Sequence, residues 1–278
     1  MHMPEGPEIY RVAQKLSKAI SGKKIISIEF GLERLKGWEE VLINSQITSV
    51  KSQAKAMLIS TDSGYTIYSH NQLYGRWDIR RSTTAEKKTN RSLRILIETE
   101  SHTARLYSAS DIEVLDAVDL ASHPFLSKLG PDLLDKDVSD AQLVEHISSG
   151  RFDKRALKHL LLDQSFLSGI GNYLRSEILF EANLHPDTRL GKLSQAKKSE
   201  LALISRKITE RALAQNGITI DYEIAEKLKL EGLTKRQYRH WVFTRDGNPC
   251  RRCGSTIIHT RVGGRRLDFC PSCQPELT

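Results

Sequence analysis

Four cysteines near the end of the chain define a metal site: Cys250-Arg251-Arg252-Cys253 is followed, after sixteen residues, by Cys270-Pro271-Ser272-Cys273. Two Cys-x2-Cys pairs at this spacing are typical of zinc binding. The turn residues around them, among them Gly263-Gly264, predict two knuckles on a β-hairpin. Two disulfides are a weaker alternative, because no signal peptide is visible and no other cysteine occurs. We therefore predict one structural Zn²⁺ held by four thiolates, with no open position for catalysis.

Positive charge is concentrated in the same region. The whole chain of 278 residues has a formal net charge of +8. Between Lys235 and Arg266 there are nine basic side chains and one acidic one, Asp246, so this segment alone accounts for the excess. A compact basic patch is the electrostatic footprint expected of nucleic-acid binding.

The region that precedes the basic patch has helical periodicity, which predicts four helices. The expected helices are Ala141–Ile147, Asp153–Asp163, Asn172–Glu181 and Ser194–Ala214, whereas we make no assignment for 220–234. The segment Ser165-Phe166-Leu167-Ser168-Gly169-Ile170-Gly171-Asn172 forms a tight turn, with Asn172 as the N-cap of the next helix. Free amides at that helix start would suit a phosphate. A plain helix–turn–helix corner packed in the core is at least as consistent with the turn alone.

Short strands dominate the first part of the chain and predict an antiparallel sandwich or barrel. The expected strands are Lys24–Phe30, Val41–Val50, Ala56–Thr61, Tyr65–Ser69, Leu93–Ile97 and Thr103–Ser108. Ser82–Arg91 is polar and charged, which indicates a mobile loop. No apolar run reaches the length of a membrane span, and we expect a cytoplasmic protein.

The N-terminal run Met3-Pro4-Glu5-Gly6-Pro7-Glu8 carries a candidate for catalysis. If Pro4 were the first residue, its secondary amine would titrate near ~8, so part of it would be neutral in the cell. A neutral amine can attack a sugar carbon and form a Schiff base. The alternative is ordinary helix-start chemistry, with Pro7 at the first position and carboxylates at the positive helix end.

Together these segments resemble the formamidopyrimidine-DNA glycosylase/endonuclease VIII family of base-excision repair enzymes, in order and over nearly the whole chain. The runs Tyr68–Gly75 and Tyr107–Glu113, with Gly6, are most similar to the endonuclease VIII branch. The resemblance implies an α+β fold, with an N-terminal antiparallel β-sandwich and a C-terminal helical domain that carries a helix–two-turn–helix and a four-cysteine zinc finger. The resemblance implies four segments: a catalytic β-sandwich with its leading helix in 1–125, a hinge in 126–135, a helical domain in 136–238 and a zinc-finger hairpin in 239–278.

The resemblance also implies a bifunctional glycosylase and abasic-site lyase that removes oxidised, mainly pyrimidine, bases. Pro4 would attack C1′ of the damaged nucleoside, and β- and δ-elimination would follow. Glu5 matches the acid/base residue, which we expect to be held protonated by partial burial. Lys55 matches a catalytic lysine on the strand after a short turn, although Ala54 stands where the family usually has glycine. Glu8 matches a further carboxylate, for which helix-dipole stabilisation is an equal alternative.

Several DNA contacts follow from the same resemblance. An enzyme that acts on a base within a duplex must flip it out and fill the gap. Gln72, Leu73 and Tyr74 match the residues that do so, although Leu-Tyr at a strand end is more often part of a core. Arg265 matches the finger arginine that binds the phosphates flanking the lesion. The resemblance places it among the catalytic residues as well as the DNA-binding ones. Arg266 is a weaker candidate, and Asn172 matches a phosphate-binding asparagine.

The residues Met1 and His2 conflict with this chemistry. While they persist, the Pro4 nitrogen lies in an amide bond and cannot form a Schiff base. We interpret them as an expression-vector remnant or a mis-assigned start, so that the chain as written is inactive as a lyase.

The partner implied is double-stranded DNA with oxidised bases or abasic sites, bound by a monomer near the bacterial nucleoid. Three alternatives stay open at this point. The same fold could act on oxidised purines, although Gly6 and the Leu73-Tyr74 pair argue against it. The chain could be a damage-binding protein without catalysis, or a generic zinc-ribbon module.

Overall fold

The first unit of the fold is built around helix α1, Gly6–Ile20, from Glu8 onward. In this computed structural model, which describes residues 4–86 and 88–276, Ile9, Ala13, Leu16 and Ile20 form the buried stripe of that helix. Their spacing of three and four residues places them on one helical face, as the sequence predicts.

Two four-stranded antiparallel sheets accompany α1 and share one apolar core with it. Their strands run in the orders β1-β6-β7-β5 and β2-β3-β4-β8. The antiparallel β-sandwich is thus confirmed. The strands are β1 Ser27–Phe30, β2 Ile47–Gln53, β3 Ala56–Thr61, β4 Thr66–His70, β5 Arg76–Arg81, β6 Leu93–Glu98, β7 His102–Tyr107 and β8 Asp111–Leu115.

One expectation for this unit is wrong. The stretch Val41–Val50 is not one strand: helix α2, Trp38–Leu42, ends there, and β2 begins at Ile47. Asn44 adopts a left-handed backbone, with φ +68°, which interrupts any extended run. In the segment before Lys87, which lies outside the described residues, Arg80 donates to the Ala85 carbonyl at 2.9 Å and the Tyr107 hydroxyl donates to Glu86 at 3.0 Å. The mobility expected of 82–91 stays a prediction.

The second unit is helical. After α3, Ala117–Ser122, it comprises α4 Asp140–Ser148, α5 Leu157–Leu160, α6 Asn172–Glu181, α7 Gln195–Ala214, α8 Tyr222–Leu230 and α9 Lys235–Tyr238. Helix α5 is far shorter than the predicted Asp153–Asp163, because Ala156 forms a β-bridge with Arg189 and starts the helix late. The unassigned segment 220–234 contains α8.

The chain ends in a hairpin of β9, Ile258–Val262, and β10, Arg265–Phe269, between the two cysteine pairs. Residue contacts divide the described chain into two compact units: Pro4 with 8–128, and 5–7 with 129–276. The four-segment division stays a prediction. Among the described residues, no helix has the length and apolarity needed to cross a membrane.

Candidate active site and nucleic-acid interface

The Glu5 carboxylate is buried at the start of helix α6. Its Oε2 accepts hydrogen bonds from the backbone N–H groups of Gly171 at 2.8 Å and Leu174 at 3.2 Å, and its Oε1 accepts one from Tyr173 at 2.9 Å. These donors and the positive end of the helix stabilise the ionised carboxylate. Both carboxylate oxygens are therefore fixed by an element 166 residues away in the chain.

Gly171 is required for this arrangement. A Cβ at position 171 would lie 2.3 Å from Glu5 Cδ and 2.5 Å from its Oε1, so any other residue would displace the carboxylate. A second link joins the Gly6 N–H to the Gly169 carbonyl at 2.8 Å. The two glycines that the sequence marks as a turn thus contact Glu5 and Gly6.

Two expectations for the helix start are corrected here. The N-cap of α6 is Gly171, and Asn172 is the first helical residue, because the Glu5 carboxylate takes the place of a capping side chain. The amides of Gly171, Tyr173 and Leu174 are not free for a phosphate, since they donate to Glu5. Asn172 itself is half-buried, and its phosphate contact stays a prediction.

Pro4, directly before Glu5, is half-buried, whereas Met1, His2 and Met3 lie outside the described residues. Glu8 lies in the first turn of α1 and forms an ion pair with Arg11 at 3.4 Å. That position suits stabilisation of the helix end, and a catalytic role for Glu8 stays a prediction.

Lys55 lies in the two-residue turn between β2 and β3, not on a strand as expected, because Gln53 pairs directly with Ala56. Ala54 adopts the left-handed conformation, with φ +53°. This conformation costs an L-residue about 1–2 kcal/mol, a cost that glycine would avoid. The Lys55 side chain is buried.

His70 and Asp111 are neighbours of Lys55 that sequence reasoning missed. Asp111 is the cross-strand partner of His70, and Ala56, next to Lys55, pairs with His70 on the other side. Burial lowers the pKa of His70; the Lys55 charge lowers it further, while Asp111 opposes the shift. His70 is thus neutral at pH 7, and its Nδ1 accepts the Gln72 N–H at 3.1 Å.

Gln72, Leu73 and Tyr74 form the tip of the loop between β4 and β5. Leu73 is 38% exposed and Tyr74 is 59% exposed, which rules out the alternative that they belong to a core. The loop closes tightly at Gly75, where a Cβ would lie 2.5 Å from the Asn71 carbonyl oxygen. Adjacent exposed apolar and aromatic side chains on a tight loop are suited to entering a base stack.

The four cysteines fit a tetrahedral zinc site. Their Sγ atoms lie within 4.8 Å of one another, with 3.9 Å between Cys250 and Cys273 and 3.5 Å between Cys253 and Cys270. Zn–S bonds of about 2.3 Å require edges near 3.8 Å. All four are free thiols, so the disulfide alternative is wrong. One structural Zn²⁺ is the cofactor that these residues hold.

Much of the basic patch is used inside the protein. Arg252 ion-pairs with Glu181, and its guanidinium lies 4.5 Å from the Phe180 ring centroid and 4.7 Å from that of Trp241. Arg266 pairs with Asp246 and donates to Asp268 at 2.7 Å. These contacts fasten the finger and give each arginine an acidic partner that offsets part of its charge.

Arg265 differs from its neighbour. It is exposed at the start of β10, beside the turn Gly263-Gly264, and its side chain makes no hydrogen bond or ion pair to any residue that the structure describes. A guanidinium held on a hairpin and directed to solvent is suited to bind phosphate.

Two buried charges in α6 position the finger and were also missed from the sequence. Arg175 donates to the carbonyls of Lys158 at 2.7 Å and Arg266 at 2.8 Å, and burial lowers its pKa to about 10. Glu177 accepts the N–H groups of Trp241 and Phe243 at 2.8 and 2.9 Å, and burial raises its pKa. The sequence contains a signal for both residues, because they are charged and interrupt an otherwise largely apolar helix.

Three family descriptions match consecutive parts of the chain: the formamidopyrimidine-DNA glycosylase N-terminal domain over residues 3–111, its H2TH domain over 129–223, and the zinc finger found in FPG and IleRS over 247–275. Endonuclease 8 of Escherichia coli is 42% identical over 272 residues, covering 98% of this chain and all of its own. Endonuclease 8 of Shigella sonnei is 41% identical over the same length.

The chain belongs to the formamidopyrimidine-DNA glycosylase/endonuclease 8 family. As a member of that family it is a DNA glycosylase and abasic-site lyase of base-excision repair, with damaged DNA as its substrate. This membership confirms the expected enzyme class and excludes both non-catalytic alternatives. The fold agrees: the formamidopyrimidine-DNA glycosylase of Lactococcus lactis, solved with an abasic-site DNA, superposes with a TM-score of 0.79 at 22% identity, over 98% of this chain and all of that one.

The contrast between the two finger arginines in this family member gives a testable result. Arg265→Ala is expected to reduce the slope of log affinity against log salt concentration by about 0.9, because one phosphate contact is lost. Titration of a lesion duplex at several salt concentrations measures the slope. Lys229→Ala, which removes the same charge from exposed α8, serves as the control and should leave the slope unchanged. An unchanged slope in Arg265→Ala would remove this arginine from the interface.

Proposed function

We propose that this enzyme removes mainly oxidised pyrimidines through a Schiff base on the Pro4 nitrogen, followed by β- and δ-elimination. The observation that carries the proposal is the Glu5 carboxylate, directly after Pro4, buried and held by the backbone of α6. A proton carrier fixed next to an amine nucleophile is the combination that such chemistry needs.

The first steps use the two residues that begin the run. The free amine of Pro4 attacks C1′, and the bond from C1′ to the base breaks, with its electron pair leaving on the base. The proton lost from the Pro4 nitrogen neutralises the departing base. Glu5 delivers a proton to the ring oxygen as the sugar opens to an iminium. To act as this acid, Glu5 must carry a proton when the substrate is bound.

Strand cleavage then follows from the acidity of C2′ next to the iminium. Loss of a C2′ proton expels the 3′ phosphate, and a second elimination expels the 5′ phosphate, which cuts the strand on both sides. Lys55, buried beside His70, would contact phosphate and assist proton transfer. Zn²⁺ takes no part in these steps and holds the finger hairpin that carries Arg265.

The DNA must be distorted for this reaction. The exposed Gln72, Leu73 and Tyr74 support the role of filling the gap left by the flipped base. Asn172 and Arg265 would hold the flanking phosphates. We further propose that the enzyme acts as a monomer, in the cytoplasm at the nucleoid.

A panel of lesion duplexes tests the substrate preference. With protein that begins at Pro4, nicking at thymine glycol is expected to exceed nicking at 8-oxoguanine by at least about tenfold in kcat/KM, a difference of roughly 1.4 kcal/mol in transition-state binding. An undamaged duplex of the same sequence is the control. Faster nicking at 8-oxoguanine would favour the purine-specific alternative.

A further inference from the structure

The backbone of Gln72 is held in an uncommon conformation. Its φ of +50° lies in the left-handed region, which residues other than glycine rarely occupy. The Gln72 N–H donates to His70 Nδ1 at 3.1 Å, and the neutral state of His70 keeps that nitrogen an acceptor. Strain retained in this way is typical of functional loops, where the surrounding structure maintains it.

The Gln72 side chain is held separately, by the turn between β7 and β8. The Ser110 hydroxyl donates to Gln72 Oε1 at 2.9 Å, across 38 residues of sequence. Ser110 is itself fixed, because Arg34 Nη2 donates to the Ser110 carbonyl at 3.0 Å and Arg34 Nη1 donates to the Ile112 carbonyl at 2.8 Å. In this structure the amide of Gln72 is thus oriented with its oxygen toward Ser110.

This orientation decides which chemical group the loop offers. A glutamine amide has an acceptor oxygen and a two-proton donor nitrogen. With the oxygen bound to Ser110, the exposed group at the tip is the NH₂. Among the residues that the structure describes, none accepts a hydrogen bond from it.

We propose that Ser110 is a specificity-determining residue: by holding the Gln72 carbonyl it turns the amide NH₂ toward the base left without a partner. The proposal rests on the gap-filling role of Gln72 given above. Wedges of this kind enter through the minor groove. There every base presents an acceptor, but guanine adds its N2 amino donor. A donor facing a donor is unfavourable, so the loop prefers an orphan adenine to an orphan guanine.

Equilibrium binding tests the proposal without any catalytic step. The probes are duplexes with a tetrahydrofuran abasic-site analogue opposite adenine, guanine or a second tetrahydrofuran. Wild-type protein is expected to bind the adenine duplex about threefold to tenfold more tightly than the guanine duplex, the range of one hydrogen bond. Ser110→Ala should bring that ratio close to one, and should not weaken binding to the duplex that lacks an orphan base.

Three controls make the readout specific. Ser110→Thr keeps a hydroxyl and should keep the wild-type ratio of adenine to guanine affinity. Ser92→Ala removes an exposed serine hydroxyl near the start of β6 and should leave that ratio unchanged. In a Gln72→Ala background, Ser110→Ala should cause no further change in the ratio. A general loss of stability would weaken all duplexes equally and leave the ratio unaltered.

A wild-type ratio of one, or a ratio that Ser110→Ala leaves as it is, would overturn the proposal. Neither outcome depends on Pro4 or Glu5, because the analogue has no base to release. A failure of the Schiff-base mechanism would instead appear as missing covalent trapping with the adenine preference intact.

Discussion

Protein that begins at Pro4 is expected to cleave abasic duplex DNA and to be trapped on it by borohydride, and attachment of Met1-His2-Met3 is expected to lower both by about 10³-fold or more. An amide nitrogen has its lone pair delocalised into the carbonyl and cannot attack C1′. Loss of an essential nucleophile has effects of this size or larger in other enzymes.

The comparison needs two forms of one protein that differ only at the N-terminus. A protease site placed directly before Pro4 supplies them, because digestion converts the extended form into the form that begins at Pro4. Salt-dependent affinity for DNA should be nearly the same in both forms, which separates chemistry from binding. Equal trapping before and after digestion would contradict a role for the Pro4 nitrogen.

Glu5→Gln is the second change with a large expected effect: base excision should fall by about 10²–10⁴-fold, the usual contribution of a positioned acid/base group. Glutamine has nearly the same shape but cannot deliver the proton. Its NH₂ would also face N–H donors of Gly171, Tyr173 or Leu174, where both carboxylate oxygens now accept. Single-turnover excision of thymine glycol measures the loss.

Gly171→Ala extends this test to the backbone that positions the Glu5 carboxylate. The added Cβ would lie 2.3 Å from Glu5 Cδ, so Glu5 must move although its chemistry is intact. A misplaced group can lower a rate by about 10²-fold. Glu40→Gln, which neutralises an exposed carboxylate on α2, is the matched control and should retain full activity.

For Glu5→Gln, activity near that of the wild type would contradict the account, because it would show that another group transfers the proton.

Local patterns predicted several of the elements described above. The cysteine spacing identified the zinc ligands, and helical periodicity located α6 and α7 to within a residue or two. In these cases the signal lies within one segment: ligand spacing for the zinc site, and a repeat of 3.6 residues for the helices. The apolar stripe of α1 was predictable for the same reason.

The contacts that make the site could not be found in this way, because they join segments distant in sequence. Glu5 and Gly171 are 166 residues apart, and Ser110 and Gln72 are 38 apart. The free amides predicted at Asn172 were an error of this kind, since the helix start looked vacant until its distant partner was known. Net charge indicated a nucleic-acid partner but could not rank the arginines, because it counts Arg252 and Arg266, which have acidic partners, as equal to Arg265.

The most direct test of the mechanism is to locate the covalent bond. Protein that begins at Pro4 is reacted with a thymine glycol duplex, reduced with borohydride and digested, and the cross-linked peptide is sequenced by mass spectrometry. The account predicts the reduced sugar on the nitrogen of Pro4. A sugar bound to Lys55 or to any other side chain would contradict it.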